Sequence, residues 1–272
     1  MAYDFLVIDS YNLAYRHWWA VRDLKYNDQF VGLEYGFIKK VLSYIKKYGQ
    51  EKIYLAWDGK PERCQGLTEN YKAGRVKVNA NEGDWTPRLN KLKDVFSHLC
   101  NTLYNPSEEA DEQIAKFVLS NKEKRILIVS GDKDLQQFIN SIVHVESGSD
   151  LINGEAAFNK WQVPAYKIPL YKSLDGDSSD NIKGVPRLAT KTKIKLVNMS
   201  ANIDELISNF SLSELTEKEK IKLKEHEQIV LNNYKLVNLM EFKEKPDISE
   251  PDGDKTYLSS LINELNFKSI VF

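Results

Sequence analysis

The sequence predicts an α/β fold with a mainly parallel central sheet flanked by helices, followed by a helical C-terminal part. Three observations carry this. Short apolar runs alternate with amphipathic stretches over the first 160 residues or so, the pattern of strand–helix–strand units. Three of those runs end in an acidic residue. Beyond about residue 160 the strand pattern fades and helical periodicity takes over.

The elements follow in order. Asp4-Phe5-Leu6-Val7-Ile8-Asp9 is a continuous apolar run, as a strand covered on both faces requires. Residues 33–47 predict a helix with Phe37, Ile38, Val41, Leu42 and Ile45 on one face and Gly49 as its stop. A second strand is predicted over 52–58, then a polar, glycine-bearing stretch to Pro87, a helix over 88–99 and a weak strand at 102–104. A helix near 109–120 precedes the clearest strand, 125–130, after which Gly131-Asp132-Lys133-Asp134 is expected to open a helix. Residues 141–146 predict a further strand. Helices are predicted over 166–174, 189–199, 214–231 and 257–265, with 241–255 as a proline-bearing surface connection. The expected division is a core over 1–160 and a helical region over 161–272 packed on it.

The 272 residues are enough to bury a full core, and the 42% hydrophobic and 28% charged content is that of a soluble globular protein. No apolar run approaches the ~20 residues needed to span a membrane, and no secretory leader is evident, so a cytoplasmic location is expected. Cys64 and Cys100 form no CxxC pair, which predicts neither zinc nor a disulfide. The net charge of −1 conceals an uneven distribution. Setting aside the acids discussed next leaves bases in excess, and a basic shell around an acidic pocket still attracts phosphates.

Asp9 and Asp58 end two strands, and Asp132 and Asp134 follow a third. In an open parallel sheet the carboxyl ends of the strands form the ligand crevice, so these four acids should converge. Crowded carboxylates repel unless a cation lies among them. An oxygen-only set without histidine suits magnesium or manganese, not zinc. Taken singly, each acid reads equally well as a turn former or helix cap. Glu109, Asp111 and Glu112 at a helix start would alone reflect the helix dipole. Asp175-Gly176-Asp177-Ser178-Ser179-Asp180-Asn181 would alone be a loop, since it lacks the bidentate glutamate of a calcium loop.

Six ordered blocks together resemble the 5′-nuclease superfamily, which includes phage 5′-exonucleases, the 5′-nuclease domain of bacterial DNA polymerase I, and flap endonucleases. They are Leu6-Val7-Ile8-Asp9-Ser10-Tyr11-Asn12-Leu13, Trp57-Asp58-Gly59, Asn70-Tyr71-Lys72-Ala73-Gly74-Arg75, Glu109-Ala110-Asp111-Glu112, Val129-Ser130-Gly131-Asp132-Lys133-Asp134-Leu135 and Gly176-Asp177-Ser178-Ser179-Asp180-Asn181-Ile182-Lys183-Gly184-Val185-Pro186. The C-terminal Leu265-Asn266-Phe267-Lys268-Ser269-Ile270 also resembles the end of the polymerase-linked domains. A free-standing phage-type enzyme is the nearest likeness.

The resemblance implies a PIN-like nuclease core and a magnesium-dependent, structure-selective 5′-3′ exonuclease or flap endonuclease, acting in DNA replication and leaving 5′-phosphate and 3′-hydroxyl ends. It implies Asp9, Asp58, Glu109, Asp111, Asp132, Asp134, Asp177 and Asp180 as metal ligands for two Mg2+, with Mn2+ as substitute. Glu112 stands where the family usually has Asp, so a water-mediated metal contact is the most expected of it. Lys72 and Arg75 are implied as catalytic cations and Tyr71 as a base-stacking residue, beneath a short arch or clamp near 71–90. A helix–three-turn–helix element would hold duplex DNA through Lys183, Gly184, Arg187, Thr190, Lys191, Thr192 and Lys193. Arg187-Leu188-Ala189 replaces the family's Gly-x-Gly there, which argues against a bound potassium ion. Expected partners are 5′-flap, nicked or branched duplex DNA, RNA–DNA hybrids and replication proteins, with the chain a monomer away from membranes. The alternatives from other classes are a PIN-like single-strand endoribonuclease and a non-catalytic DNA-binding module.

Overall fold

The computed structural model describes residues 2–60 and 84–270. The strands Asn101–Leu103, Ile53–Ala56, Phe5–Asp9, Ile126–Val129 and Val143–Ser147 lie side by side in that order, all parallel. Ile248–Ser249 and Asp150–Ile152 close the two edges antiparallel, giving a seven-stranded sheet. Leu6, Val7 and Ile8 are wholly buried, as the unbroken apolar run requires. The chain lays its strands to one side of Phe5–Asp9, then crosses back to add Ile126–Val129 on the other. The strand order therefore reverses between these two neighbours, where doubly wound sheets bind ligands.

Both faces of the sheet are covered. Helices Ser10–Val21, Gly32–Tyr48 and Thr86–Ser97 supply Leu13, Trp18, Phe37, Val41, Leu92 and Phe96 to one layer. Helix Ala110–Ser120 supplies Ile114, Ala115 and Phe117 to the other. A third cluster lies among the C-terminal helices Ile168–Asp175, Thr190–Met199, Ile203–Ser208, Glu217–Glu225 and Glu227–Val237. Among the described residues no helix is long and apolar enough to cross a membrane.

Several elements depart from the sequence reading. Residues 10–21 form a helix that the sequence did not predict; Asp9 caps it, its Oδ1 accepting from the Asn12 amide at 3.0 Å. Residues 131–134 open only a short 3₁₀ turn, Asp134–Phe138. The predicted 214–231 helix is two helices, separated at His226, whose backbone (φ −108°, ψ 9°) leaves the helical region. Helices Gly154–Trp161 and Ile203–Ser208 and the hairpin Gly176–Asp177/Ile182–Lys183 are further elements that the sequence does not predict. The supposed connection over 241–255 contributes the edge strand Ile248–Ser249. Helix Thr256–Glu264 then returns to the first layer, burying Leu258, Leu261 and, beyond it, Phe267. The start of the predicted clamp lies outside the described residues, while 86–90 form the first turns of helix Thr86–Ser97.

The acidic loop and the C-terminal helices are joined through Gln137, which is 1% exposed. Its Nε2 donates to the Asp134 and Val237 carbonyls at 2.7 and 3.1 Å, and its Oε1 accepts from the Leu239 amide at 2.8 Å. Arg187 sits at φ 53°, a left-handed conformation that favours glycine, which explains why glycine suits this turn. Two outcomes are expected in urea titrations followed by circular dichroism. Gln137→Ala should cost about 1–3 kcal/mol, because it takes the side-chain partner from the Val237 carbonyl and the Leu239 amide. Arg187→Gly should raise the midpoint, with a gain of about 0.5–1 kcal/mol.

Candidate functional site

The carboxylates collect where the strand order reverses. Asp9 closes the Phe5–Asp9 strand, and its Oδ2 accepts from the Ser130 hydroxyl at 2.8 Å, just past Ile126–Val129. Ser130 Oγ accepts in turn from the Asp132 amide at 3.0 Å, and Asp132 Oδ1 from the Asp134 amide at 2.8 Å. These short turns aim the two loop acids at the crevice. Asp58 Oδ1 accepts from the Ala110 amide at 2.9 Å, which fastens the start of helix Ala110–Ser120 to the strand end. Half-buried Glu109 and Asp111 thus sit beside Asp58. Glu112 turns to local work: it is buried, and its Oε2 accepts the Glu109 amide at 2.9 Å in a reciprocal capping box.

Asp134, Asp177 and Asp180 form the tightest group. Each offers a carboxylate oxygen within 4.8 Å of the others, and Asp134 and Asp180 are buried. Asp132 links this trio to the strand-end acids: its charge acts on Asp134 on one side and on Asp9, beside Asp58, on the other. Burial, then the charges of Asp58 and Asp132, push the Asp9 carboxyl up to about 7. Burial likewise raises Asp134 to about 7, with Asp132 and Asp177 adding to it and Lys172 opposing. Asp177 goes the other way, to about 2; burial alone would raise it, but bonds from Lys172 and Ser179 prevail.

Lys172 is a central residue that the sequence reading passed over. It is 3% exposed and pairs with Asp134 and, at 2.6 Å, with Asp177 Oδ2. Burial disfavours its charge, yet the two carboxylates hold its pKa raised. The clue was present: Ile168, Leu170, Tyr171 and Leu174 around it are all buried, so the helix offers this ammonium no solvent side. The trio is an oxygen-only donor set, without histidine or thiolate, of the kind a hard cation takes, and Lys172 Nζ pairs with two of its carboxylates.

The nucleic-acid candidates divide. Tyr71, Lys72 and Arg75 lie outside the described residues. Lys183, Arg187, Thr190 and Lys191 are exposed around the start of helix Thr190–Met199, and Gly184 is partly covered. Ala189 caps that helix without a side-chain acceptor. Lys193 is drawn inward instead, buried with Nζ 2.5 Å from Asp175 Oδ1. Thr192 Oγ1 donates to Glu219 Oε1 at 2.9 Å. A β-carbon on Gly184 would meet the Asp175 carbonyl oxygen at 2.2 Å, so that glycine is required by the turn itself. Cys100 is buried, and burial pushes its thiol up to about 12.

Comparison with known proteins places the chain in a family. Thermostable DNA polymerase I of Thermus caldophilus is 30% identical over 213 residues; the match covers 75% of this chain and 25% of that polymerase, so the chain spans about a quarter of its length. A 5′-3′ exonuclease of Mycoplasmopsis pulmonis is 27% identical over 242 residues, covering 86% of this chain and 80% of the relative. A solved complex of the bacteriophage T5 flap endonuclease with DNA and metal ions superposes with a TM-score of 0.68 at 20% identity, covering 87% and 89% of the two chains. That likeness establishes the fold. The family model for the N-terminal resolvase-like domain of 5′-3′ exonucleases matches residues 4–163, and the model for their C-terminal SAM fold matches 163–247. The chain therefore belongs to the 5′-3′ exonuclease family.

Proposed function

We propose that the chain is a divalent-metal-dependent 5′-3′ nuclease that hydrolyses phosphodiester bonds at 5′ flaps and nicks in duplex DNA, and in RNA primers, during replication. The observation that supports this is the Asp134/Asp177/Asp180 trio, with Asp132 beside Asp134 and Asp9, and Asp58 beside Asp9. Asp134, Asp177 and Asp180 would hold one cation, and Asp9, Asp58, Glu109, Asp111 and Asp132 would serve a second, magnesium or manganese. Bound there, the cations supply Lewis-acid stabilisation of the phosphate and a more acidic water.

The chain's own residues do the positioning. Ser130 and the Asn12 amide fix the rotamer of Asp9. Lys172 holds Asp134 and Asp177 facing one another and offsets their mutual repulsion. Lys72 and Arg75 would meet charge developing on the phosphate, and Tyr71 would stack on an unpaired base. Lys183, Arg187 and Lys191, with the first-turn amides after Ala189, would grip the duplex backbone.

Product mapping on 5′-flap, nicked and RNA-primed duplexes tests the reading. Cleavage should need magnesium, and Asp134→Asn or Asp132→Asn should slow it by about 10²-fold or more. Vigorous cutting in excess EDTA would refute the metal assignment. A preference for single-stranded RNA over flaps would point to the endoribonuclease alternative.

The raised carboxyls add a stability test. Asp9 and Asp134 titrate near 7 in the fold, above their usual 3.8, so folding favours their protonated forms. Without metal, that contribution is present below about pH 4 and is lost as pH rises toward 7. Thermal unfolding in EDTA should therefore give a lower midpoint at pH 8 than at pH 5.5, and magnesium should recover more at pH 8.

A further inference from the structure

Across the Ile126–Val129 strand from Asp9, the structure contains a cavity of about 480 Å3. Its walls come from three elements. Gly131 and Lys133 belong to the loop that carries Asp132 and Asp134. Ser147 and Leu151 belong to the edge hairpin, and Lys160 to helix Gly154–Trp161. The cavity and the carboxylates thus share one loop, and anything lying along that loop passes both.

Two lysines, Lys133 and Lys160, and one acid, Asp150, supply the charge of the lining. Lys160 Nζ donates to the neutral Gln136 amide oxygen at 3.3 Å, and Trp161 Nε1 already bonds the same oxygen at 2.8 Å. No ion pair to Lys133 or Lys160 exists among the described residues. Asp150, the acid in the lining, faces the Ser149 hydroxyl at 3.2 Å. Arg16 lies at the neighbouring hairpin turn, near Gly148 and outside the lining. Beside these cations, Leu151 is 53% exposed, and with Ile152 and Ala156 it gives the cavity an apolar wall. Cations next to a small apolar surface match the alternation of phosphate and sugar along a nucleic-acid strand.

We propose that this cavity is a phosphate subsite, which seats an internucleotide phosphate of the DNA strand running past the carboxylates. Lys133 and Lys160 are its cations, and Leu151 packs against the neighbouring deoxyribose. The assignment rests on the nuclease reading and extends its footprint to a surface outside both the carboxylate crevice and the helix Thr190–Met199 face.

The test is the salt dependence of binding to a nicked duplex in EDTA, with the nick carrying either a 5′-phosphate or a 5′-hydroxyl. Lys160→Ala should weaken binding about five-fold regardless of sequence and nick chemistry, and reduce the log–log salt slope by about one. Lys160→Arg should retain the slope. Lys124→Ala, in the turn before Ile126–Val129 at the opposite end of that strand, should leave affinity and slope unchanged. Unaltered slopes in both Lys160→Ala and Lys133→Ala, in a protein whose wild type cuts flaps, would overturn the subsite while sparing the nuclease reading. Loss confined to the 5′-phosphate duplex would overturn the internucleotide assignment. A wild type that neither binds nor cuts DNA would instead overturn the nuclease reading.

Discussion

Mutual repulsion among carboxylates crowded at one end of a parallel sheet is the constraint around which this molecule is organised. Bringing Asp9, Asp58, Asp132, Asp134, Asp177 and Asp180 into a half-dry crevice is unfavourable in itself, and the raised Asp9 and Asp134 carboxyls register that cost. The fold answers locally. Backbone amides at Asn12, Ala110, Asp134 and Ser179 each donate to one of these acids, and Lys172 lies buried against two of them. Each such bond also sets a rotamer. The devices that make the charge tolerable are the ones that aim it.

The same crevice ties the two parts of the chain together. Asp134 comes from the α/β core, while Asp177 and Asp180 come from the hairpin after helix Ile168–Asp175. Lys172 and Gln137 both bond across that seam. A shift between the parts therefore changes the distance between prospective ligands, so rigidity at the seam is a chemical requirement as well as a structural one.

Much of this was legible in the sequence, for identifiable reasons. The buried strands around Leu6–Ile8 and Ile126–Val129 read clearly because parallel interior strands are apolar on both faces, and the acids after them are placed by topology. Helix Ser10–Val21 is hard to read because its aromatic residues fall on several faces and its cap, Asp9, is also a strand-end acid. Ile248–Ser249 is only two residues long, too short for any periodicity, and only its pairing with Thr102 and Leu103 makes it a strand. Lys172 and Lys193 show the limit most plainly. A lysine on a helix is normally solvent-facing, and only tertiary packing turns these two inward toward Asp134, Asp177 and Asp175.

The edge pairing of Ile248–Ser249 with Asn101–Leu103 has a consequence for any shortened form of the protein. The match to the C-terminal SAM-fold model ends at residue 247, an inviting place to cut. A chain ended there would keep every candidate ligand but would uncap the sheet, leaving open amides and carbonyls as a template for another molecule. It would also strip Leu258, Leu261 and Phe267 from the first layer. Self-association, and not loss of chemistry, would then be its first failing.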